Sequence, residues 1–392
     1  MYLHETPRCR HRIRCASALF SIQFYIGWNG RIWLSDGFGL DHPLIYWVIF
    51  WIVALSYLIA RLASKYLPAS LHRLLKWTGS YWIAILQYCV LLLPAADLIY
   101  LLLTSAAGMD RHQTVLLLGW AVIAALLLIL ARGSWNAWNP VIRRYEVTVP
   151  KRAGGLRTLR IAAASDLHLG TVVGIRYLKL LVDRINGLRP DLILLPGDVI
   201  DDDIEPFIRY GMADILKELR APYGVYAVLG NHEYIGGHIE PFAERMQAIG
   251  IEVLMDRTVR IEDKFVLIGR KDKAAERFRP DGRKKLEELM ADVDRSLPLI
   301  LMDHQPYHLD QSVALGIDLS LSGHTHRGQM APNHWITRRL FELDWGYLRK
   351  GNLHAIVSSG YGTWGPPIRL GDRSEILEIV VHFNGVEEKP AG

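Results

Sequence analysis

The order of apolar and polar residues divides the chain into two parts of different character. The first part contains three long apolar runs, at residues 43–60, 81–103 and 114–131. Each run is about as long as a helix needs to cross the hydrocarbon core of a bilayer. None of them has the polar face that a helix of a soluble domain shows. The pattern therefore predicts transmembrane helices within residues 1–132.

A shorter apolar run at residues 16–28 has two readings, a further span or the core of a secretory signal peptide. No small-x-small cleavage site follows it cleanly. Basic residues precede this run, lie between 43–60 and 81–103, and follow 114–131, whereas the other two loops have no basic excess. Because positive charges stay on the cytoplasmic side, this alternation predicts four spans, with the N-terminus and the C-terminal domain both cytoplasmic.

One acidic residue, Asp97, falls inside the run 81–103. An acid within a span is a functional hypothesis by default. Asp97 lies toward the outer end of its helix, within reach of the interface, so we favour a structural role. After the last run, residues 133–146 are predicted to form a juxtamembrane linker.

The pattern changes in residues 147–385, where short apolar runs each end in a polar cluster. Helix-like stretches separate these runs, at residues 175–188, 206–219, 239–249 and 283–293. Strands that alternate with helices predict a layered α/β domain. Because the strands are nearly continuous apolar runs, we expect both faces of each sheet to be covered.

Charge and cysteine content exclude two classes of protein. Residues 1–150 hold 13 Lys/Arg and 6 Asp/Glu, whereas the rest of the chain holds 32 and 34. The basic character therefore belongs to the membrane part, and no nucleic-acid partner is expected for the larger domain. Three cysteines (Cys9, Cys15 and Cys89) are too few and too poorly placed for a disulfide framework.

Candidate chemistry lies at five successive strand ends. In chain order the polar residues are Asp166 and His168, Asp198 and Asp201, Asn231 and His232, His304, and His324 and His326. Ligands of open α/β sheets bind at the carboxyl ends of strands. Nitrogen and oxygen donors without thiolates suit Mn, Fe or Zn, but not a structural zinc site. Any one of these clusters alone is explained by polar residues that cap a turn. Five such clusters at successive strand ends favour a metal site instead.

Two of the clusters share an i, i+2 spacing, Asp166 with His168 and His324 with His326. In an extended segment, side chains two residues apart face the same way. We therefore expect each pair to point toward one place, where it can reach one ion or two neighbouring ions.

In this order the motifs Asp-x-His, Gly-Asp-x-x-Asp, Gly-Asn-His-Glu, a single His and Gly-His-x-His resemble the calcineurin-like metallophosphoesterase superfamily. The resemblance covers about residues 147–381, and the sequence at 358–371, "SSGYGTWGPPIRLG", looks like its branch of membrane-attached bacterial phosphoesterases. It implies a four-layer αββα sandwich after the transmembrane helices. It also implies a dinuclear metal-dependent phosphohydrolase that cleaves phosphodiester or pyrophosphate bonds. One departure is Lys271, where many relatives have an acidic residue on the substrate side.

The same resemblance implies the roles of individual residues. The implied ligands of the two divalent ions are Asp198, which bridges them, then Asp166, His168 and His326 for one ion and Asn231, His304 and His324 for the other. A hydroxide between the ions would attack phosphorus, His232 would protonate the leaving oxygen, and Asp201 would orient His232. Arg270 would contact the substrate phosphate or form a surface ion pair, and these two alternatives stay open.

Three functions compete: a phosphohydrolase, a non-catalytic membrane-bound metal-binding or sensing protein, and a transporter with a soluble appendage. His232 and Asp201 favour the first, because a metal binder does not require them. The few charged residues in the apolar runs disfavour the third. A membrane tether brings the site close to membrane lipid and to lipid-linked phosphoesters, but the same tether is compatible with a general phosphodiesterase.

Overall fold

The chain divides into two compact units, the first ending at Arg132 and the second beginning at Gly133. The computed structural model describes residues 7–385. Residues 1–6 of the predicted membrane region lie outside the described residues.

The N-terminal unit is built from helices. They are α1 (Pro7–Phe38), α2 (Pro43–Ala54), α3 (Ser56–Leu62), α4 (Ala69–Ser105) and α5 (Arg111–Trp138), whose end belongs to the second unit. In the described part of the chain, α4 and α5 are long and apolar enough to cross a membrane. The pair α2 and α3, bent by 55°, adds a third candidate span if it is counted as one.

The predicted runs 43–60, 81–103 and 114–131 all fall in these candidate spans. Residues 16–28 lie within α1, which is longer than the apolar run and is not among the candidates found in residues 7–385. Two or three candidate spans are thus established, and the four-span topology stays a prediction.

Asp97 has a partner within the N-terminal unit. The hydroxyl of Tyr25 on α1 donates a hydrogen bond to the Asp97 carboxylate on α4. Nearby, α1, α2 and α4 share an apolar cluster that includes Ile26, Phe50 and Cys89. The Asp97 carboxylate therefore ties two packed helices together.

The second unit contains two six-stranded sheets. The first has the order β1-β12-β2-β3-β4-β5 and consists of β1 (Val141–Val149), β2 (Thr158–Ala163), β3 (Leu192–Pro196), β4 (Val225–Val228), β5 (Ile251–Val253) and β12 (Glu375–Phe383). The second has the order β10-β11-β9-β8-β7-β6 and consists of β6 (Arg257–Ile261), β7 (Phe265–Gly269), β8 (Leu299–Met302), β9 (Leu319–Ser322), β10 (Gly346–Lys350) and β11 (Leu353–Val357).

Short helices connect the strands. They are α6 (Ile175–Gly187), α7 (Glu205–Arg209), α8 (Met212–Leu216), α9 (Asn231–Gly236), α10 (Ile239–Ala248), α11 (Ala275–Phe278), α12 (Leu286–Leu289), α13 (Leu309–Ala314) and α14 (His334–Leu340). The amphipathic α6 shows why they form: five apolar side chains, Tyr177 to Ile185, are buried on one face.

Three apolar clusters define four layers. The middle cluster combines side chains of both sheets, such as Ile161 and Ile379 of the first sheet and Leu267 and Leu321 of the second. A second cluster packs α6 to α10 on the outer face of the first sheet. A third packs α12 and α13 on the outer face of the second. This helix–sheet–sheet–helix order confirms the predicted four-layer α/β fold.

The predicted linker at residues 133–146 has regular structure. It contains the last turn and a half of α5 and the first part of β1. The side-chain amide of Asn136 donates to the carbonyl of Arg369 (3.0 Å), and the hydroxyls of Tyr177 and Ser374 donate to the carbonyl of Ala137 (2.7 and 2.8 Å). The segment is therefore packed into the second unit rather than joining it as a free chain.

Strands β2, β3, β4 and β5 run parallel to one another, as do β7, β8, β9 and β11. In each group the carboxyl ends of the strands consequently lie along one edge. The loops that leave β2, β3, β4, β8 and β9 carry the polar clusters singled out in the sequence.

Candidate metal centre

The structure brings the side chains of all seven predicted metal ligands together. These side chains come from loops after strands of both sheets and form two groups. Within each group, the His and Asp ligand atoms lie within 4.8 Å of one another. The members are Asp166, His168 and His326 in the first group and Asp198, His304 and His324 in the second, with Asn231 beside the second.

In the first group, two histidine nitrogens and a carboxylate converge. His168 Nε2 and His326 Nε2 are 3.0 Å apart, and His326 Nε2 is 3.4 Å from Asp166 Oδ1. All three side chains are buried. Burial lowers the pKa of His168 and of His326 well below the usual value, so both rings are neutral and have a lone pair to offer.

In the second group, Asn231 lies between two histidines. Its Oδ1 is 2.7 Å from His324 Nδ1 and 3.3 Å from His304 Nε2. His304 Nε2 also lies 3.0 Å from Asp198 Oδ2. Burial, with the charge of His304, lowers the pKa of His324 to about 3. An amide oxygen, a carboxylate and two imidazoles thus face one point.

Asp198 lies between the two groups. Its Oδ2 is 3.0 Å from His304 Nε2 and 4.0 Å from His168 Nε2, so one carboxylate oxygen faces a histidine of each group. Burial opposes the charge of Asp198, but the positive charge and hydrogen bond of His304 outweigh it and hold the pKa of this carboxyl well below its usual value. The Asp198 carboxylate is therefore ionised and lies within reach of cations bound at either group.

Two observations test whether these residues fit a pair of divalent ions. Asp166 Oδ2 is buried and has no hydrogen-bond partner among the described residues, a cost that a bound cation removes. His304 Nδ1 lies 2.8 Å from the carbonyl of Pro196. That hydrogen bond is the second-sphere contact that metal-bound histidines usually make. It leaves Nε2, on the side of Asp198, as the nitrogen that would bind an ion after losing its proton. The donor set fits.

Each i, i+2 pair points toward the metal centre, as expected, but the reason given for it is wrong, because the backbone at these ligands is not extended. Asp166, His168, His324 and His326 have φ angles of 53°, 46°, 69° and 47°. They lie in left-handed turns after the strands end, because β2 stops at Ala163 and β9 at Ser322. The paired side chains converge through turns that curl the chain around the site, not through the alternation of a strand.

Close approach of the loops depends on glycine. A Cβ on Gly323 would lie 2.1 Å from Asp166 Oδ2, and a Cβ on Gly230 would lie 2.1 Å from Asp198 Oδ1. Both distances are far below any tolerated contact. The glycines of the Gly-His and Gly-Asn motifs therefore let a loop of one strand touch the carboxylate that follows another.

His232 lies at the side of the first group. Its ring centroid is 4.7 Å from that of His168, and His168, Asp198 and His232 also have atoms within 4.8 Å of one another. Burial opposes the charge of His232, but the hydrogen bond to Asp202 and the charges of Asp198, Asp201 and Asp202 raise its pKa to about 9. His232 is cationic at neutral pH.

The hydrogen-bond partner of His232 differs from the predicted one. His232 Nδ1 donates to Asp202 Oδ1 at 2.7 Å, whereas Asp201 Oδ1 lies at 3.7 Å, beyond hydrogen-bond distance. The sequence has three consecutive aspartates, Asp201 to Asp203, and does not reveal which one faces inward. Asp202 orients the ring, and Asp201 adds a second negative charge.

Sequence reasoning also gave no role to Glu233, which holds together the loops that follow β3 and β4. Its carboxylate is fully buried and accepts hydrogen bonds from the backbone N–H groups of Gly230 (2.7 Å), Asp198 (3.2 Å) and Ile200 (3.0 Å). Burial and the charge of Asp198 raise its pKa. The Gly-Asn-His-Glu motif contained this residue, and its position two residues after Asn231 was the only available signal.

Arg270 forms an ion pair, one of its two predicted alternatives, but this pair is buried. It is buried, its Nη1 donates to Asp303 Oδ2 (2.8 Å), and its Nη2 donates to the carbonyl of Lys284 (3.2 Å). Arg283 binds the same carboxylate at 2.6 Å. The ion pair is therefore buried rather than on the surface, and the geometry gives no support to a contact between Arg270 and a substrate phosphate.

The loop at residues 358–371 borders the metal centre through contacts with His326 and His232. Arg369 is fully buried; its Nη2 donates to the carbonyl of Gly362 (2.7 Å) and lies 3.3 Å from His326 Nδ1.

At the tip of the loop, Trp364 is 57% exposed, and its ring centroid lies 6.0 Å from that of His232. The Gln329 amide accepts from the Trp364 N–H and donates to its carbonyl (2.9 and 3.0 Å). The Gln329 side chain therefore fixes the backbone of Trp364 beside His232.

Comparisons with known proteins agree with this geometry. Residues 159–328 match the calcineurin-like phosphoesterase family. The chain is 31% identical to an uncharacterized metallophosphoesterase of Aquifex aeolicus over 247 residues, 62% of this chain and 92% of that protein.

Two animal proteins, each named transmembrane protein with metallophosphoesterase domain, are also similar. The zebrafish (Danio rerio) protein is 32% identical over 286 residues, 70% of this chain and 64% of that protein's length. The cattle (Bos taurus) protein is 27% identical over 391 residues, 95% of this chain and 83% of that protein. The fold, the grouped ligands and these similarities together show that the chain belongs to the calcineurin-like metallophosphoesterase family.

Proposed function

We propose that this protein is a membrane-anchored, dinuclear metal-dependent phosphohydrolase that cleaves phosphodiester or pyrophosphate bonds. The observation that carries the proposal is the position of Asp198 between two groups of ligands. Asp198 would bridge the ions. Asp166, His168 and His326 would complete one coordination shell, and Asn231, His304 and His324 the other. Two bound divalent ions would polarise the phosphoester and acidify the attacking water.

His232 is proposed as the general acid. It is cationic, it lies beside the ligands, and its Nε2 side is left for substrate because Nδ1 donates to Asp202. A protonated imidazole of this kind delivers its proton to the oxygen of the leaving group. A protein that only bound or sensed metal would not need an oriented, cationic histidine, and this feature separates the two functions.

The exposed indole of Trp364 lies next to the proposed acid. Since the leaving group departs toward the general acid, Trp364 borders the leaving-group side of the site. A flat apolar ring at this place favours leaving groups with aromatic or apolar parts.

Membrane attachment is proposed through the N-terminal helices, with the second unit on the cytoplasmic side. The candidate spans and the names of the animal relatives support attachment, and the alternating basic loops support the sidedness. Membrane attachment supports the resemblance to the membrane-attached bacterial branch of the family and makes lipid-linked phosphoesters candidate substrates. The nitrogen and oxygen donors accept Mn, Fe or Zn, among which cellular supply decides.

The test uses the purified full-length chain in detergent, assayed with Mn²⁺ on phosphomonoesters, phosphodiesters and lipid pyrophosphates. Two variants separate metal binding from catalysis. Asp198→Asn should lose both ions and all turnover. His232→Ala should keep both ions and lose turnover by a factor of about 10²–10⁴, the usual contribution of a general acid.

Metal analysis of the same samples decides the outcome. Two ions per chain in the Asp198→Asn variant would refute the bridging role. Unchanged turnover in the His232→Ala variant would refute the acid role, and no turnover of any phosphoester by the metal-loaded native chain would refute the function.

A further inference from the structure

Helix α14 presents large apolar side chains to solvent. Trp335, Ile336 and Leu340 are 64%, 60% and 65% exposed, and no residue of the helix is buried. A soluble surface seldom groups such side chains without a function. We call Trp335, Ile336 and Leu340, with Arg338 and Arg339, the α14 surface.

These residues share one side of the helix. At about 100° per residue, Trp335, Ile336 and Leu340 fall within an arc of about 140°, and Arg339 falls inside the same arc. Arg338 borders it, and its guanidinium, like that of Arg339, has no ion-pair partner among the described residues. The α14 surface therefore combines apolar bulk with uncompensated positive charge.

The opposite side of α14 is anchored next to the metal ligands. Thr337 Oγ1 donates to Asp344 Oδ2 (2.7 Å), and Thr325 Oγ1 donates to the carbonyl of Asp344 (2.5 Å). After the helix, the Phe341 ring lies 6.0 Å from that of His324. Because its inner side is fixed to the ligand loop, α14 cannot turn its apolar side chains inward.

We propose that the α14 surface docks onto an anionic lipid bilayer. Tryptophan prefers the level of the lipid headgroups, aliphatic side chains enter the acyl boundary below it, and arginines pair with anionic headgroups. The second unit is tethered close to the bilayer, because α5 is a candidate span and ends at Trp138, three residues before β1 begins.

The docked surface also defines a substrate class, and this step rests on the proposed function. Since α14 is fixed to the loop that carries His324 and His326, docking holds the metal centre at headgroup level. Phosphoesters whose phosphate lies at the surface of a bilayer then reach the site without leaving the membrane. Amphiphilic phosphoesters are therefore the expected substrates.

The first experiment measures contact with lipid and does not depend on activity. An environment-sensitive fluorescent amino acid replaces Ile336 in the full-length chain, reconstituted in nanodiscs with brominated acyl chains and about 30% phosphatidylglycerol. The matched control places the same probe at Ile208, which is 39% exposed on α7. Quenching at position 336 but not at 208, weaker in pure phosphatidylcholine, supports the proposal.

Equal quenching at the two positions, or none at 336, overturns the docking. Protection of the probe that rises with protein concentration and does not depend on lipid overturns it in favour of a second copy of the chain. If the probe at 336 is quenched and no phosphoester is hydrolysed, the docking stands and the proposed function falls.

The second experiment tests the substrate class with the triple variant W335S/I336S/L340S. These side chains are exposed, so the variant should fold and hydrolyse a water-soluble phosphodiester at an unchanged rate. Turnover of a phosphoester lipid in nanodiscs should fall by about tenfold or more, as expected when an interfacial anchor is lost. An equal loss on both substrates, or on neither, overturns the inference.

Discussion

At the scale of single residues, the metal centre concentrates backbone strain. Asp198, with a φ of 51°, joins the four ligands already described in left-handed turns, so five of the seven proposed ligands have positive φ angles. Each such residue costs about 1–2 kcal/mol relative to ordinary backbone. The cost persists because surrounding contacts fix the turns: the N–H of His324 donates to Asp166 Oδ1, and that of His232 donates to Asp198 Oδ1 (both 2.9 Å).

Replacing Asp202 with asparagine should shift the alkaline limit of activity to lower pH. His232 must be protonated to act as an acid, so activity is present below its pKa of about 9 and is lost above it. Asp202→Asn removes the carboxylate that raises this pKa, and a hydrogen bond to a charged group is worth about 1–2 pH units. The measurement is kcat/KM against pH for a water-soluble phosphodiester.

Asp201→Asn is the matched control for this variant. Asp201 acts on His232 through its charge at 3.7 Å and not through a hydrogen bond. The alkaline limit of activity should therefore shift less in Asp201→Asn than in Asp202→Asn. Equal shifts in the two variants would contradict the assignment of Asp202 as the orienting residue.

Replacing Glu233 with glutamine should destabilise the site without removing a metal ligand. The amide keeps the shape but offers one oxygen to the three backbone N–H groups that the carboxylate satisfies. We expect the free energy of unfolding to fall by about 1–3 kcal/mol, together with weaker metal binding. Thermal unfolding with and without Mn²⁺ measures both effects.

Glu244→Gln, at an exposed position on α10, is the control for this measurement and should change stability by less than about 0.5 kcal/mol. A Glu233→Gln variant as stable as this control would show that the three hydrogen bonds do not brace the loops.

At the scale of elements, the loop that follows β11 controls one wall of the site. Gln329 holds the backbone of Trp364 from both sides and also donates to the carbonyl of Pro366 (2.9 Å). The indole is therefore positioned by a buried amide that follows the last metal ligands along the chain. A change at Gln329 acts through Trp364.

Trp364→Ala should raise KM for phosphodiesters with an aromatic leaving group by about 2–13-fold, as loss of one aromatic contact predicts. Alkyl leaving groups should be less affected, and Trp364→Phe should restore most of the affinity. Gln329→Ala should reproduce the effect with metal content unchanged. An equal loss for aromatic and alkyl esters would contradict a contact between Trp364 and the leaving group.

Elements near the site were predictable where one local signal determines them. The apolar strands and the amphipathic α6 follow from hydrophobic pattern alone. The stretch 206–219 was expected to be one helix, but Gly211, with a φ of 59°, divides it into α7 and α8. The pattern of apolar residues continues across that break, so periodicity does not reveal it.

The arrangement of the ligands was less predictable than their identity. Residue type and strand-end position placed all seven proposed ligands among nine candidates, because these signals depend on sequence nearby. The resemblance to the family then separated the proposed ligands from His232 and Asp201. The left-handed turns, the choice of Asp202 over Asp201 and the buried pair of Arg270 with Asp303 depend on loops that meet only in the folded chain. Local sequence holds no signal for such contacts.

At the scale of the whole molecule, the loop between α4 and α5 should face the outside. A single cysteine at Asp110, in a chain whose Cys9, Cys15 and Cys89 are replaced by serine, should react with an impermeant maleimide in intact cells. Glu244→Cys in the same background should react only after the cells are permeabilised. The reverse labelling would overturn the proposed topology, which follows from the basic loops.

The order of strands in the first sheet has a consequence for synthesis of the chain. Strand β12 lies between β1 and β2 and pairs with β1 over nine residues, from Val141 with Glu375 to Val149 with Phe383. Since β12 is made about 225 residues after β1, the ribosome needs about 10–45 s to supply it. During that time the apolar side of β1 and the open edge of β2 have no permanent partner. The newborn protein is thus most prone to aggregation after its helices have been made and before its last described strand arrives.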